Sequence, residues 1–301
     1  MSNNIRYFLK LALTAVMVLV HTVAVAQEKE KIWTVSPFLG VSSPELKLLN
    51  EGEFKSPILG SGVLVFADDL ISDGFFFLID NDLPEIGFGT NAGLEFQLTL
   101  NSRDAFVMGT SIWEGISTSV VTTEIPFQGV LSKAALERTG NISAMQFFLG
   151  WKRNIVHRPE KFNLYTKFTL HEIFDVDYKE DLVFAFQSGP AETFKRLIVM
   201  ESQSTGILMF QLGVGLEYFM RDWLSFGIDT AYAIGANEFE LGNGKITSDF
   251  LSGDNISLTL PTRVVDGKLR YLTDNNGVMR YEEMKLKFDG WQLLFRFNIY
   301  Y

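Results

Sequence analysis

The sequence predicts an all-β fold, a transmembrane antiparallel up-and-down barrel of about eight strands. Three observations lead there: segments that alternate apolar and polar residues, connections that are short on one side and long on the other, and a final strand that ends on an aromatic residue. Composition agrees, since 27 Phe, 9 Tyr and 25 Gly among 301 residues, with 8 Pro, favour strands and turns over helices. The chain has no Cys, which closes disulfide and thiolate chemistry. Its formal net charge of −10 opposes binding to phosphate backbones, so nucleic acid is not expected as a partner.

Residues 1–26 read as a signal peptide: Arg6 and Lys10 form a basic start, Leu11 to Val20 an apolar run, and Ala24-Val25-Ala26 a cleavage site. The run is too short and too interrupted, by Thr14, His21 and Thr22, to span a bilayer as a helix. No Cys follows the site, so a lipid-anchored form is not expected. The remaining chain, 27–301, is expected to be one barrel domain, crossing the membrane as strands.

Period-two alternation places strands at 33–43, 87–100, 105–121, 141–155, 161–176, 204–219, 223–238 and 290–301. It is clearest in the sixth, where Leu208, Phe210, Leu212, Val214, Leu216 and Tyr218 alternate with Met209, Gln211, Gly213, Gly215, Glu217 and Phe219. Alternation alone fits a soluble sandwich as well. The connections separate the two readings. Asn101 to Asp104, Val156 to Glu160 and Met220 to Asp222 are short, whereas 44–86, 122–140, 177–203 and 239–289 are long. Segregation of this kind belongs to membrane barrels, with short periplasmic turns and long extracellular loops. Trp33, Trp151 and Trp223 lie near the short-turn ends of their strands and Trp113 and Trp291 near the opposite ends, as two interfacial girdles would require. Two further strands, Ile58 to Ala67 and Phe75 to Asp82, would raise the count to ten. Asp274-Asn275-Asn276-Gly277 has the form of a hairpin turn, with charged flanks that belong above the membrane.

In the last segment Trp291, Leu293, Phe295, Phe297, Ile299 and Tyr301 are all apolar or aromatic and share one face. This resembles the β-signal of outer-membrane proteins, the terminal strand read by the barrel-assembly machinery. In layout the chain is similar to the small OmpA/OmpX-type and porin-like barrel families. The resemblance implies an outer-membrane location among lipid and lipopolysaccharide, and the assembly machinery as a partner. It implies no particular activity.

An eight-stranded barrel is about wide enough to be filled by its own side chains. Strand parity turns Glu95, Glu217 and Asp229 inward with Lys152, Lys167 and Arg296, three carboxylates against three cations. Buried charges must pair, so a salt-bridged lumen is expected, with an ion-conducting lumen as the alternative.

Catalysis is not expected, and no cofactor or resident metal is. Beyond residue 26 the chain has two histidines, His157 in a short turn and His171 in a strand, and Glu172 points away from His171. No His-x-Ser pair of the kind seen in lipid-modifying barrels is present, nor a nucleophile elbow, P-loop or H-E-x-x-H motif. Gly87, Gly89 and Gly93 run into a strand and read as small residues that relieve crowding. Segment 44–85 carries Glu45, Glu51, Glu53, Asp68, Asp69, Asp73, Asp80, Asp82 and Glu85 against Lys47 and Lys55, a self-repelling solvated loop. Asp80-Asn81-Asp82 supplies carboxylate and carbonyl oxygens for a divalent cation without a complete loop motif. The expected role is non-enzymatic: structure or surface binding through the long acidic loops, with a solute channel and a lipid-modifying enzyme as lesser readings.

Overall fold

A computed structural model describes residues 32–46, 86–127, 129–158, 161–189, 192, 195–204, 206–248 and 285–301, with short strand segments at 62–64, 77–79, 263–265, 268–275 and 278–283. Residues 1–31, and with them the signal peptide, lie outside this set, as does Asp80-Asn81-Asp82.

Eight strands make the body: β1 (Trp33–Pro44), β2 (Gly89–Thr99), β3 (Asp104–Phe127), β4 (Val130–Arg158), β5 (Phe162–Phe186), β6 (Ile207–Arg221), β7 (Leu224–Gly235) and β8 (Gly290–Tyr300). Each pairs antiparallel with its sequence neighbours, and β8 pairs with β1 from Thr34↔Tyr300 to Pro44↔Gly290, which closes the ring. Closure leaves no free edge within the ring, the condition for crossing lipid with strands.

Alternation in sequence becomes two faces in space. On β6, Leu208, Phe210, Leu212, Val214, Leu216 and Tyr218 all point outward and are 42–65% exposed, while Gln211 and Glu217 point inward at 4% and 0%. On β8, Leu293, Phe295 and Phe297 do the same around buried Leu294 and Arg296. A wall that is apolar outside and polar inside is the inverse of a soluble protein. It is stable in a bilayer, where the outward side chains meet acyl chains and every strand hydrogen bond is internal. Trp33, Trp151, Trp223 and Trp291 are exposed on this outer surface. Trp113 is not. It lies on the inward parity of β3, is buried, packs edge-on against Phe288 at 5.8 Å and donates its indole N–H to the Ser42 carbonyl at 3.2 Å.

The connection lengths need three corrections. Residues 122–140 are not a loop, because β3 and β4 continue as one hairpin, paired without a register shift from Asp104↔Arg153 to Phe127↔Val130. Residues 177–203 are mostly strand: β5 continues past Ile173, where it leaves β6, and pairs with Lys195–Ser204, which in turn pairs with Gly242–Ser248. Residues 239–289 contain further strand segments, among them Lys268–Asn275 paired with Val278–Glu283 around the expected hairpin turn. The structure also excludes the ten-strand ring, since Gly62–Leu64 and Phe77–Ile79 pair with each other in a separate sheet.

The outcome is a barrel with one wall extended. β2 reaches β3 only as far as Thr90↔Glu114, and above that level β3, β4, β5 and the two added strands form an open sheet rising from the rim. Where the sheet leaves the ring, Ile173 faces Gln146 and Asp175 faces Met145, so Phe174 is an extra residue, a bulge. The bulge resets parity: Ile173 is inward below it, and Val176, Tyr178 and Glu180 are inward above it. Within the sheet the Arg138 guanidinium pairs with buried Glu180, which also accepts a hydrogen bond from Tyr178 at 2.7 Å.

Candidate functional site

The barrel interior is the most chemically organised part of the molecule. Near the short-turn end Glu217 is wholly buried and collects donors from five neighbours: Lys152 at 3.1 Å, Asn298 at 2.8 Å, Asn163 at 3.4 Å, and the hydroxyls of Ser225 and Tyr300. Lys152 also donates to Gln97 at 3.2 Å and sits 4.2 Å from the centre of the Tyr165 ring. One layer up, Glu95 accepts from Arg296 at 2.7 Å and Lys167 at 3.0 Å. Asp229 accepts from Lys167 at 3.2 Å, from Arg296 and from the Tyr165 hydroxyl. Tyr165 thus joins the two layers, its ring to Lys152 and its hydroxyl to Asp229.

All six charged residues singled out by parity are brought together in this way. Three carboxylates meet three cations, every one at most 6% exposed. The sequence reaches this arrangement because Glu95, Lys152, Lys167, Glu217, Asp229 and Arg296 come from six different strands, and a closed ring brings them together in two adjoining layers. Small residues make room. A side chain at Gly215 would collide with Tyr165 and Asp229, and one at Gly93 with the ring of Phe38.

The interior space is unevenly divided. At the short-turn end a polar vestibule of about 390 Å³, lined by Lys152, His157, Asn163, Glu217 and Tyr300 among others, opens below the charges. At mid-height, around Phe38, Phe148, His171 and Arg296, the space shrinks to about 10 Å³, room for about one water. Phe38, Phe148 and Leu294 form an apolar belt there, and His171 stacks on Phe148 at 5.1 Å. Side chains of the described residues occupy most of the lumen at this height.

No family model and no curated protein matches the chain. Solved structures similar to it include the outer membrane protein OprG from Pseudomonas aeruginosa, at 10% identity over 91% of this chain and 97% of that one, with a TM-score of 0.33. The outer membrane protease OmpT from Escherichia coli is 11% identical over 90% of this chain and 97% of its own, with a TM-score of 0.36. Ail, the attachment invasion locus protein of Yersinia pestis, is 11% identical over 89% and 98%, with a TM-score of 0.25. The protein is an outer-membrane β-barrel. That assignment rests on its own closed ring and lipid-facing wall, and likenesses at this level say nothing about activity.

Above the belt the barrel is polar without charge. Gln146 donates to Ser111 at 2.7 Å and its oxygen meets His171 Nδ1 at 3.1 Å. Thr169 bridges His171 Nε2 at 2.8 Å and Gln211 at 3.3 Å. Asn91 donates to Ser42 at 3.0 Å and Gln292 at 3.4 Å. The sequence reading did not single out this amide layer, because amides carry no charge that demands a partner. The signal was present all the same: Asn91, Gln146, Gln211 and Gln292 all occupy inward parity positions.

Of the terminal-strand residues, Trp291, Leu293, Phe295 and Phe297 are exposed on the outer wall, whereas Ile299 is buried in register between Val35 and Leu224. Tyr301 ends the chain half-buried, its backbone N–H bonded to the Trp33 carbonyl at 2.8 Å. His157 engages Asn163 at 2.8 Å, so both described histidines have side-chain partners within the barrel wall and lumen.

Proposed function

We propose that this protein is a non-enzymatic barrel whose ring anchors it in the outer membrane and whose long-connection end faces outward as a binding surface. The observation that carries this reading is the division of labour between the ring and the wall above it. The ring is filled by neutralised charges and an apolar belt, leaving about 10 Å³ at mid-height, so its interior serves as a plug. The extended sheet is built of continuous strands rather than loops, a stiff support for contacts made away from the lipid. In this orientation the short turns lie in the periplasm, the outer wall meets lipid and lipopolysaccharide, and Trp291, Leu293, Phe295, Phe297, Ile299 and Tyr301 are the strand presented to the assembly machinery.

Two measurements test it. Protease added to intact cells should cleave within the long connections, and cleavage restricted to permeabilised cells would reverse the orientation. In planar bilayers the purified protein should give no stable conductance steps. Steady single-channel currents would favour a solute channel and remove the plug.

A further inference from the structure

Above the amide layer the interior opens into a small chamber of about 40 Å³, with Asn91, Trp113, Gln146, Gln211, Phe288 and Gln292 in its lining. Two features set it apart from the vestibule at the other end. No ionisable side chain lines it, although a belt of charges lies one to two layers below. Its wall also holds an unspent acceptor: Asn91 is 3% exposed, and while its Nδ2 donates twice, its Oδ1 has no partner among the described residues. A buried amide oxygen without a donor is costly, and the cost is relieved by any group that brings an N–H or O–H to it.

We propose that this chamber receives the uncharged, hydroxyl-bearing end of a carbohydrate ligand. Charged groups are disfavoured because they would lose their hydration among amides and aromatic rings with no counter-ion in the lining. Purely apolar groups are disfavoured because they would leave Asn91 Oδ1 unsatisfied. Neutral polyhydroxy groups match both requirements: hydroxyls for Asn91 and the glutamines, and C–H faces for Trp113 and Phe288. The volume sets the size of what enters. At about 10–15 Å³ per water, 40 Å³ admits a few heavy atoms, a chain end rather than a whole sugar polymer. Below the chamber, beside the belt of Phe38, Phe148 and Leu294, the interior narrows to about 10 Å³, too little for a sugar ring to follow.

This inference deepens the binding reading given above and rests on it for the direction from which ligand arrives. The test is saturation-transfer NMR on the detergent-solubilised full chain with four sugars of similar size: glucose, N-acetylglucosamine, glucuronate and glucosamine. The two neutral sugars should receive saturation, with the charged pair at least fivefold weaker. Asn91→Leu should abolish the neutral signal while retaining the mobility shift between boiled and unboiled samples that marks a folded barrel. If Asn91→Leu fails to fold, Asn91→Ala, which also removes the acceptor, should lose the same signal. Equal transfer to all four sugars, full transfer in either folded variant, or no transfer to the neutral pair, as a chamber holding ordered water alone would give, overturns the proposal. Because detergent exposes both ends, a silent titration counts against the chamber and leaves the orientation to the protease experiment.

Discussion

Between Tyr300 and Arg296 the lumen is lined by ions that neutralise one another, whereas between His171 and Trp113 it is lined by amides and hydroxyls. The halves share strands, wall and width, yet they follow different rules. An unpaired buried charge is so costly that six residues from six strands are locked into one arrangement, and a slip of one residue in any strand would turn its member out to the lipid. An unpaired amide is costly but survivable, and the neutral half does contain one, Asn91 Oδ1. The charged half therefore specifies the register of the ring, and the neutral half has latitude left for a ligand.

The largest expected effect tests the first half of that contrast. Arg296→Ala leaves Glu95 and Asp229 sharing Lys167 alone, and should cost about 3–5 kcal/mol in denaturant unfolding from detergent micelles. A loss below about 1 kcal/mol would show that the charges do not hold the ring. Glu217→Gln strips Lys152 of its carboxylate and should cost about 3 kcal/mol, while adding Lys152→Met should recover a large part of the loss, since a pair removed together leaves no orphaned charge. If the double variant is no better than the single, Glu217 matters through Ser225, Asn298 and Tyr300 instead.

In the neutral half Gln146→Met should cost about 1–2 kcal/mol, the price of leaving Ser111 and His171 each short of one hydrogen bond. A cost equal to that of Arg296→Ala would erase the distinction between the halves. The smallest effect is expected outside the lumen. Arg153 is exposed and lies 3.5 Å from Asp104, and Arg153→Ala should change stability by less than about 0.5 kcal/mol, a baseline against which the interior variants are read.

The sequence made the charged half legible and left the neutral half unread, for a physical reason. Charge demands pairing, so Glu95, Lys152, Lys167, Glu217, Asp229 and Arg296 become informative once their parity is known. Gln146 and Gln211 make no such demand. Strand positions in the ring were also legible, from 33–43 against Trp33–Pro44 to 290–301 against Gly290–Tyr300. Beyond the ring, alternation no longer separates apolar from polar. In Thr118, Val120, Thr122 and Glu124 the outward face is mixed, and the segment resembles a loop although its β-branched residues favour a strand. Trp113 was placed among the girdle residues by its height alone, although its parity with Val107, Gly109 and Ser111 puts it inside. The bulge at Phe174 left no mark, because one inserted residue costs nothing in composition.

The extended wall also fixes a distance. From Gly115 to Phe127 the β3–β4 hairpin continues past the last contact with β2, roughly 40 Å along the strand at about 3.3 Å per residue. A loop of the same length would have no fixed span; a paired ladder does. How far the tip stands from the ring is set by the number of residue pairs in the ladder, so that removing pairs from the hairpin would shorten that distance in steps while leaving the ring as it is.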